Sequence, residues 1–539
     1  MPEQPGATAP PPSNGKTKLG AFTRFLNFVE WLGNLLPHPV TLFAALCVLI
    51  LAISWITGAN GLQVPDPRPE GAAGRAPDGM IRAVSLVSPE GLRRIVEGMV
   101  SNFVNFVPLG TVLVSLLGVG VAEKSGLLSA AIRLLVLRAP KNVVTVAVVF
   151  ASVISNTASE MGYVVLIPLA GVLFYALGRH PLAGIAAAFA GVSGGYSANL
   201  FIGTVDPLLS GITQESARLI DPSVTVTPVA NWYFMAFSVL IVTFVGTWVT
   251  VRIVEPKLGP YNPSGAEEGA LNQMTLEKVT PLEKRGLVWA TLAALVTLGL
   301  IAMTVIPSWG PLRNPEDGDV LNSPFMKSIV TFILVVFIIP GIVYGKVTKS
   351  FKSDRDVIDS MAGAMSSMGL YIVLVFFAAQ FVAYFNWSNL GSITAVLGAD
   401  MLQKSNLTGP IVFIPFILMC CFVNLMLGSA SAQWAVTAPI FVPMLMLVGY
   451  SPEVIQAAYR IGDSTTNIVT PMMSYFGLIL AFATKFDRKL GIGTMISMMI
   501  PYCLYFIVFW IAAFYLWVFG LGLPVGPGTE IYYTPKPAG

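Results

Sequence analysis

Long apolar stretches dominate this sequence and indicate its class. The first, VTLFAALCVLILAISWI at Val40–Ile56, contains no charged residue. Segments of about 17–25 apolar residues are long enough to cross the hydrocarbon core of a bilayer. The pattern predicts an all-α polytopic membrane protein with about nine transmembrane helices, near residues 38–58, 104–124, 182–207, 229–252, 286–308, 327–345, 364–387, 452–477 and 491–519.

Two further apolar segments, 142–178 and 409–450, are not among the nine predicted transmembrane helices. In the first, the short arms Val143–Ile154 and Tyr163–Gly178 are separated by SNTASEMG. In the second, similar arms flank GSASAQW at Gly428–Trp434. We expect two re-entrant hairpins, the first opening inward and the second outward, because such arms are short for a full span.

Each predicted hairpin is followed by a span that is interrupted near its middle. The interruptions are GVSGGYSANLFIGTVDP at Gly191–Pro207 and YRIGDSTTNIVTP at Tyr459–Pro471. A broken helix leaves backbone groups unpaired, which a bilayer tolerates only where they line a polar cavity or are buried in protein. Two broken helices, each after a hairpin and in opposite orientations, predict an inverted repeat. This arrangement is typical of secondary transporters with a binding site at the midplane.

Composition supports a membrane protein and excludes other classes. The 539 residues are 55% hydrophobic and only 11% charged, against roughly 25% charged in soluble domains. A soluble enzyme, a nucleic-acid binder and a disordered scaffold are therefore excluded. The four cysteines lie in apolar stretches without metal-ligand spacing, so we expect neither disulfides nor a zinc site. No cofactor is expected beyond a coupling ion.

Lysine and arginine concentrate in alternate loops, which orients the predicted spans. Cytoplasmic loops are enriched in these residues, whereas 208–228, 309–326 and 388–408 each carry only one. With those loops outside, the N-terminus is cytoplasmic and the C-terminus extracytoplasmic. Loop 59–103 disagrees, because it carries five arginines although it is assigned to the outside. The polar N-terminal tail lacks the apolar region of a cleaved signal peptide.

The predicted organisation divides the chain into six segments. They are a cytoplasmic tail (1–37), first scaffold helices with the outer loop 59–103 (38–141), hairpin 1 with its broken helix (142–207), scaffold and dimerisation helices (208–408), hairpin 2 with its broken helix (409–477), and the last helix with an extracytoplasmic C-terminus (478–539). The two hairpin segments form the predicted transport core.

Few ionisable residues lie within the predicted spans. An ionisable group there costs about 2.5–3.5 kcal/mol, so it is functional by default. The candidates are Asp206, Arg460 and Asp463, with Glu160 beside the first hairpin tip. Arg460 and Asp463 could neutralise each other as an i,i+3 pair, whereas Asp206 has no oppositely charged neighbour in sequence. Asp206 could also simply end a helix beside Pro207.

Small oxygen-bearing side chains recur at both hairpins and both breaks. Hard cations such as Na⁺ prefer several oxygen ligands, although Ser, Thr and Asn also cap helix ends. The predicted ion-binding residues are Ser155, Asn156, Thr157, Asn199, Ser429, Asp463, Thr466 and Asn467. Trp434 follows the second tip directly, and either stacking on an aromatic substrate or interfacial anchoring would account for it.

Four motifs, SNTASE, NLFIGTVDPLLSG, GSASAQW and YRIGDSTTN, occur in this order and resemble the AbgT family of p-aminobenzoyl-glutamate transporters. The resemblance implies bowl-shaped homodimers in the bacterial inner membrane, with nine transmembrane helices and two hairpins per protomer. It also implies import of p-aminobenzoyl-glutamate, or export of p-aminobenzoate and sulfonamide antimetabolites, driven by ion gradients. The substrate-binding residues that it implies are Asp206, Ser431, Trp434, Pro452, Arg460 and Asp463.

The SNT tip also resembles the sodium-site signature of the distantly similar divalent-anion symporters, but the second tip reads SAS. A sodium-coupled dicarboxylate symporter of the same superfamily and a passive channel remain alternatives.

An enzyme is not expected, because Gly15-Lys16-Thr17 lacks the upstream glycine of a phosphate loop. The two histidines, His38 and His180, lie at or beyond the ends of predicted spans, so a serine hydrolase would lack an intramembrane base. The sequence leaves Na⁺ or H⁺ coupling and the transport direction open. Expected partners are a small aromatic carboxylate, membrane lipid and a second copy of the chain, but no nucleic acid.

Overall fold

The computed structural model describes residues 37–68, 70, 75, 77–158, 162–267, 278–321 and 323–534. The N-terminal tail predicted over 1–37 therefore lies almost wholly outside the described residues, as does Glu160.

The described chain is helical apart from one small hairpin. Its first helices are α1 (Pro39–Ala59), α2 (Pro89–Val104), α3 (Val107–Lys124), α4 (Leu127–Leu137), α5 (Val144–Ile154), α6 (Ile167–Ala176) and α7 (Pro181–Phe189). The middle part contains α8 (Val205–Ala217), α9 (Trp232–Val249), α10 (Glu255–Leu258), α11 (Pro281–Met303), α12 (Pro324–Lys327), α13 (Ile329–Thr348) and α14 (Asp354–Ser367). The last helices are α15 (Gly369–Trp387), α16 (Leu390–Lys404), α17 (Phe413–Leu427), α18 (Ala430–Leu447), α19 (Pro452–Thr465), α20 (Phe476–Thr484) and α21 (Ile492–Phe514).

Short non-α turns extend several of these helices. Turns of 3₁₀ helix lie at Lys141–Val143, Ser155–Ala158, Pro263–Gly265, Pro410–Val412 and Asn467–Val469, and π turns at Gly162–Leu166, Ala190–Gly194, Thr250–Val254 and Tyr515–Gly520. Two of them, Ser155–Ala158 and Ala190–Gly194, lie where the sequence predicts a hairpin tip and a helix break.

Nine helical stretches within the described ranges are long and apolar enough to cross a membrane. They are Pro39–Ala59, Pro89–Lys124, Trp232–Leu258, Pro281–Met303, Ile329–Thr348, Gly369–Trp387, Pro410–Leu427, Ala430–Leu447 and Ile492–Gly520. Seven coincide with predicted crossings, and the all-α polytopic fold is confirmed. The remaining two are the arms of the second hairpin, which at 18 residues each are longer than the sequence predicts.

The predicted crossings 182–207 and 452–477 are each built from two helices around a non-helical break. The first break separates the π turn Ala190–Gly194 from α8, and the second separates α19 from α20. Asp206 consequently lies in the first turn of α8, and Arg460 and Asp463 lie inside α19 rather than in the interruption.

The prediction of an outer loop over 208–228 is wrong for its first half. Residues up to Ala217 belong to α8, which is buried along most of its length. Hydropathy misses this helix because it carries Thr213 and Gln214, whose polar groups are satisfied inside the protein. Thr213 Oγ1 donates to Gln456 Oε1 at 2.5 Å, and Gln214 Oε1 accepts from the backbone N–H of Val226 at 2.9 Å.

Glycine allows the same close helix contact in both halves of the chain. A Cβ added to Gly191 would lie 2.8 Å from the carbonyl oxygen of Val149, and one added to Gly462 would lie 2.8 Å from that of Ile417. The first broken helix therefore packs on α5 as the second packs on α17.

The glycine contacts also align the two halves residue by residue. The shift in numbering that carries Val149 to Ile417 carries Asn156 to Asn424. The counterpart of the SNT tip is therefore the VNL sequence at the end of α17, and not the SAS sequence of the second hairpin.

Most arginines of loop 59–103 have structural partners. This loop forms the hairpin β1 (Gln63–Pro65) and β2 (Met80–Arg82), with antiparallel pairing of Val64 with Ile81, and continues into α2. Arg68 pairs with Asp66 at 2.6 Å, Arg82 pairs with Asp78 at 2.5 Å, and Arg94 lies over the ring of Trp387. Three of the five arginines of this loop therefore have a partner within the protein.

Candidate functional site

Both hairpins contribute to one cavity of about 510 Å³. Asn156 from the first tip, Gly428–Ser431 from the second tip and Asn467 from the second break all line it. The cavity extends along α3 to Glu123 and Lys124, the end that the charge pattern predicts to face the cytoplasm. Its volume lies within the roughly 300–1,000 Å³ of small-molecule sites.

Aromatic rings form much of the remaining cavity wall. Tyr163 and Tyr475 stack with ring centroids 4.6 Å apart and planes 7° from parallel, and Tyr196 and Tyr371 also line the cavity. Offset aromatic pairs of this kind contribute about 0.5–1.5 kcal/mol beyond the burial of area. Sequence reasoning missed these tyrosines, because a tyrosine in an apolar segment is not distinctive by itself.

A buried ion pair joins the two broken helices. Arg460 Nη1 donates to Asp206 Oδ1 at 2.6 Å, and Arg460 Nη2 donates to the carbonyl oxygen of Ser197 at 3.0 Å. The second carboxylate oxygen, Oδ2 of Asp206, accepts from the backbone N–H of Gly203 at 2.7 Å. Both charged side chains are almost completely buried. The partner that Asp206 lacks in sequence is therefore Arg460, from the other half of the chain.

Asp463 is left without a charged partner by this arrangement. It is fully buried, and neither of its carboxylate oxygens accepts a hydrogen bond from the described residues. The hydroxyl of Tyr459, one turn earlier on α19, donates instead to the carbonyl oxygen of Ala430 at 2.7 Å. Because an isolated buried carboxylate is costly, this position fits a group that binds a proton or a cation.

The first hairpin tip contacts the first break, and both carry buried oxygens without a hydrogen-bond partner among the described residues. Asn156 Nδ2 donates to the carbonyl oxygen of Gly195 at 3.2 Å. The Oδ1 atoms of Asn156 and Asn199 and Oγ1 of Thr157 have no hydrogen-bond partner among the described residues. Ser155 instead donates back to Ser152, as in helix capping. Buried polar groups are normally satisfied, so the unpaired oxygens fit a bound cation.

In the second half the central residue is Asn424, which sequence reasoning missed. Three acceptors surround its Nδ2, whose two N–H groups they share: the carbonyl oxygen of Asp463 at 2.6 Å, Asn467 Oδ1 at 2.8 Å and Thr466 Oγ1 at 3.0 Å. Its Oδ1 has no partner among the described residues. The available signal was a lone amide in the apolar run FILMCCFVNLML. Ser429 acts as the N-cap of α18.

Five of the six residues that the resemblance implied as substrate-binding lie in the packed interior and do not line the cavity: Asp206, Trp434, Pro452, Arg460 and Asp463. The indole N–H of Trp434 donates to Thr213 Oγ1 at 2.8 Å, and its ring stacks on Tyr459 at 4.1 Å. Pro452 occupies the first turn of α19 behind the N-cap Ser451, a position that favours proline. In this conformation Ser431 is the one of the six that lines the cavity.

The described residues contain no group of three or more His, Cys, Asp or Glu side chains that could hold a metal ion. The oxygen atoms at the two breaks are mainly amides and hydroxyls. These are ligands for a hard monovalent cation rather than for a transition metal.

Comparisons with known proteins agree with this geometry. The profile of the AbgT transporter family matches residues 24–533. The p-aminobenzoyl-glutamate transport protein of Escherichia coli K12 is 37% identical over 506 residues, covering 94% of this chain and 96% of that protein. The structure of MtrF from Neisseria gonorrhoeae, described as representing a class of antimetabolite efflux pumps, is 60% identical with a TM-score of 0.89, and covers 94% of this chain and 100% of its own.

The Alcanivorax borkumensis YdaH transporter, described as having an unusual topology, is 43% identical with a TM-score of 0.84, and covers 91% of this chain and 100% of its own. Family, sequence relatives and solved structures all cover nearly the whole chain. The chain therefore belongs to the AbgT family and is a multi-pass inner-membrane transporter, not an enzyme.

Proposed function

We propose that this protein is a secondary active, cation-coupled transporter of p-aminobenzoyl-glutamate and of related p-aminobenzoate- and sulfonamide-type compounds. The observation that carries the proposal is the buried pair of Asp206 and Arg460, which joins the two broken helices beside a cavity lined by both hairpin tips. The names of the relatives support this substrate class.

The substrate carboxylate competes with Asp206 for the guanidinium of Arg460. A carboxylate can bind a guanidinium through two parallel hydrogen bonds, and the Nη atoms of Arg460 now bond Asp206 and the carbonyl of Ser197. Exchange of these partners loosens the link between the broken helices when substrate is present. The stacked rings of Tyr163 and Tyr475 offer the benzoyl ring an aromatic wall.

Two clusters of oxygen atoms are the proposed sites for the coupling ion. Asn156, Thr157 and Asn199 would hold one cation with neutral oxygens, which can bind Na⁺ but not store a proton. Asn424 and Asp463 would hold the second cation. This cation can be Na⁺, or it can be a proton bound to the carboxylate of Asp463. The unpaired oxygens at both places support this assignment.

Flux measurements in proteoliposomes test the proposal directly. Labelled p-aminobenzoyl-glutamate is supplied with sodium and proton gradients imposed separately, and with neither as the control. We expect accumulation against the substrate gradient only when a cation gradient is present. Accumulation that is independent of both gradients, or mere equilibration, contradicts coupled transport and favours a passive channel.

The orientation and assembly are part of the same proposal. The N-terminus is cytoplasmic, the C-terminus extracytoplasmic, and the protein acts as a homodimer. The higher identity to MtrF, described among antimetabolite efflux pumps, favours export of p-aminobenzoate-type compounds over import. Flux of labelled p-aminobenzoate and of labelled p-aminobenzoyl-glutamate in each direction distinguishes the two.

A further inference from the structure

A second cavity, of about 570 Å³, lies at the opposite ends of the helices that border the central cavity. The turn that leads into α3, the end of α8 and the end of α15 line the second cavity, at Asn105–Phe106, Glu215 and Asn386–Trp387. The same three helices line the central cavity with their other ends. The two cavities are therefore arranged in line along α3, α8 and α15.

Close packing separates the two cavities. A Cβ added to Gly211 on α8 would lie 2.9 Å from Pro108 on α3, so the two helices approach closely here. The hydroxyl of Tyr371 on α15 donates to the carbonyl oxygen of Pro108 at 3.0 Å. All three helices thus meet at Pro108, between the central cavity and the second one.

The charged residues that line the second cavity favour an anionic ligand. Among the described residues they are Asp66, Arg68, Arg82, Glu215 and Arg218, which leaves an excess of one positive charge. Arg68 has a structural role, because its guanidinium pairs with Asp66 and donates to the carbonyl oxygen of Ile220 at 2.8 Å. Although burial opposes it, the hydrogen bond from Arg68 keeps the pKa of Asp66 below its ordinary value.

The other two arginines hold their partners weakly. The side chain of Arg82 is 55% exposed and that of its partner Asp78 is 48% exposed, and exposed ion pairs contribute only about 0–1 kcal/mol. Arg218 Nη1 lies 3.4 Å from Glu215, which is long for a charge-assisted hydrogen bond, and Arg218 Nε donates to the carbonyl oxygen of Val224 at 3.2 Å. The Arg82 guanidinium can therefore turn to a carboxylate ligand at little cost, and Arg218 can offer its Nη atoms while Nε stays bonded.

Neighbouring side chains suit an aromatic amide. Asn105 and Asn386 line the cavity with side-chain amides, which can donate to or accept from an amide or amine. Trp387 adds an aromatic surface, one face of which carries Arg94 at 4.6 Å. Carboxylate, amide and ring contacts are thus available in one cavity.

We propose that this second cavity is a binding vestibule for the aromatic carboxylate substrate at the membrane face opposite the opening of the central cavity, with Arg82 and Arg218 binding its carboxylate. The vestibule rests on the proposed function, since it takes the same substrate class. It captures substrate before import or holds it after export, while the contact at Pro108 closes the path between the cavities.

Flux in vesicles of one orientation, with p-aminobenzoyl-glutamate supplied from either face, tests the vestibule. We expect Arg82→Gln to raise the half-saturating concentration at the vestibule face about fivefold, the effect of losing roughly 1 kcal/mol, and to leave the opposite face unchanged. Arg82→Lys should restore part of the loss. The matched control is Arg93→Gln, which removes an exposed arginine that does not line the cavity.

Equal shifts at both faces, or no shift at the vestibule face, contradict the vestibule while leaving the proposed function standing. Absence of any flux in the unmodified protein contradicts the proposed function, and the vestibule with it. Because Arg82 is exposed and outside the helices, its substitution should not prevent folding.

Discussion

At the scale of single residues, the arrangement of charge is the feature on which the proposed function depends. Arg460 lies three positions before Asp463, yet it pairs with Asp206, 254 residues away. The link between the broken helices is thus electrostatic and buried. Removing one partner of a buried pair leaves an uncompensated charge and costs about 3–5 kcal/mol.

Asp206→Asn and Arg460→Gln should each abolish transport and lower the thermal stability of the purified protein. The double variant, which removes both charges, should recover stability, because no unpaired charge remains, but not transport, because the substrate carboxylate has lost Arg460. Transport is measured in proteoliposomes and stability by thermal unfolding in detergent. Recovery of transport in the double variant would show that the pair is only structural.

At the scale of helices, Gly191 and Gly462 hold each broken helix against one arm of a hairpin. The two contacts give the broken helices a similar packing on α5 and α17 despite different tip sequences. They also explain why Asn424 reaches the second break, since it lies about two turns along α17 from Ile417, which Gly462 contacts.

Gly462→Ala should destabilise the protein by about 1–3 kcal/mol, because the added methyl overlaps Cys420 and the Ile417 carbonyl in a packed interface. Transport should fall as well, since Asp463 is the next residue. Gly477→Ala on α20 is the control, because nothing lies within 4 Å of its added methyl. Equal thermal stability of the two variants would contradict the role given to the glycine contact.

The hairpin tips can be located by thiol labelling. Ala430→Cys should react readily with a small aqueous reagent, and Asn156→Cys more slowly, because Asn156 is only 3% exposed although it lines the cavity. Val148→Cys and Ile417→Cys, both fully buried in hairpin arms, serve as unreactive controls, and the four native cysteines are buried. Equal reactivity of the tip and arm positions would contradict a shared cavity.

At the scale of the whole molecule, the number of coupled cations would limit the direction and energetics of the proposed transport. Moving the dianion p-aminobenzoyl-glutamate into a negative cell costs about 4.6 kcal/mol at ~100 mV. One cation gains about 2.3 kcal/mol from that potential and about 1.4 kcal/mol from a roughly tenfold gradient. One cation is insufficient, whereas two leave about 2.8 kcal/mol for accumulation.

Concentrative import of the dianion should therefore use at least two cations per substrate. Parallel measurement of labelled sodium and labelled p-aminobenzoyl-glutamate uptake at known potentials gives the ratio. Accumulation at these gradients with one coupled cation would contradict the prediction. Export is electrically downhill for an anion, so one proton on Asp463 or Asp206 suffices in that direction.

The sequence by itself determined the class, seven of the crossings and the approximate positions of the two helix breaks. These features follow from the local sequence pattern. The length of an apolar segment indicates whether it can cross the bilayer, and runs of Gly, Ser, Thr and Asn indicate where a helix is interrupted. The polar helix α8 escaped this pattern, since its polar groups are satisfied by distant partners such as Gln456.

Only the tertiary structure decided which groups meet. Local spacing allowed a pair of Arg460 with Asp463 and gave no partner for Asp206, but the crossing of the two broken helices presents Asp206 to Arg460 and leaves Asp463 beside Asn424. The tertiary structure also buries Trp434 in the packed interior and places Tyr163 and Tyr475 in the cavity wall. Such contacts join residues far apart in sequence, so the spacing along the chain does not encode them.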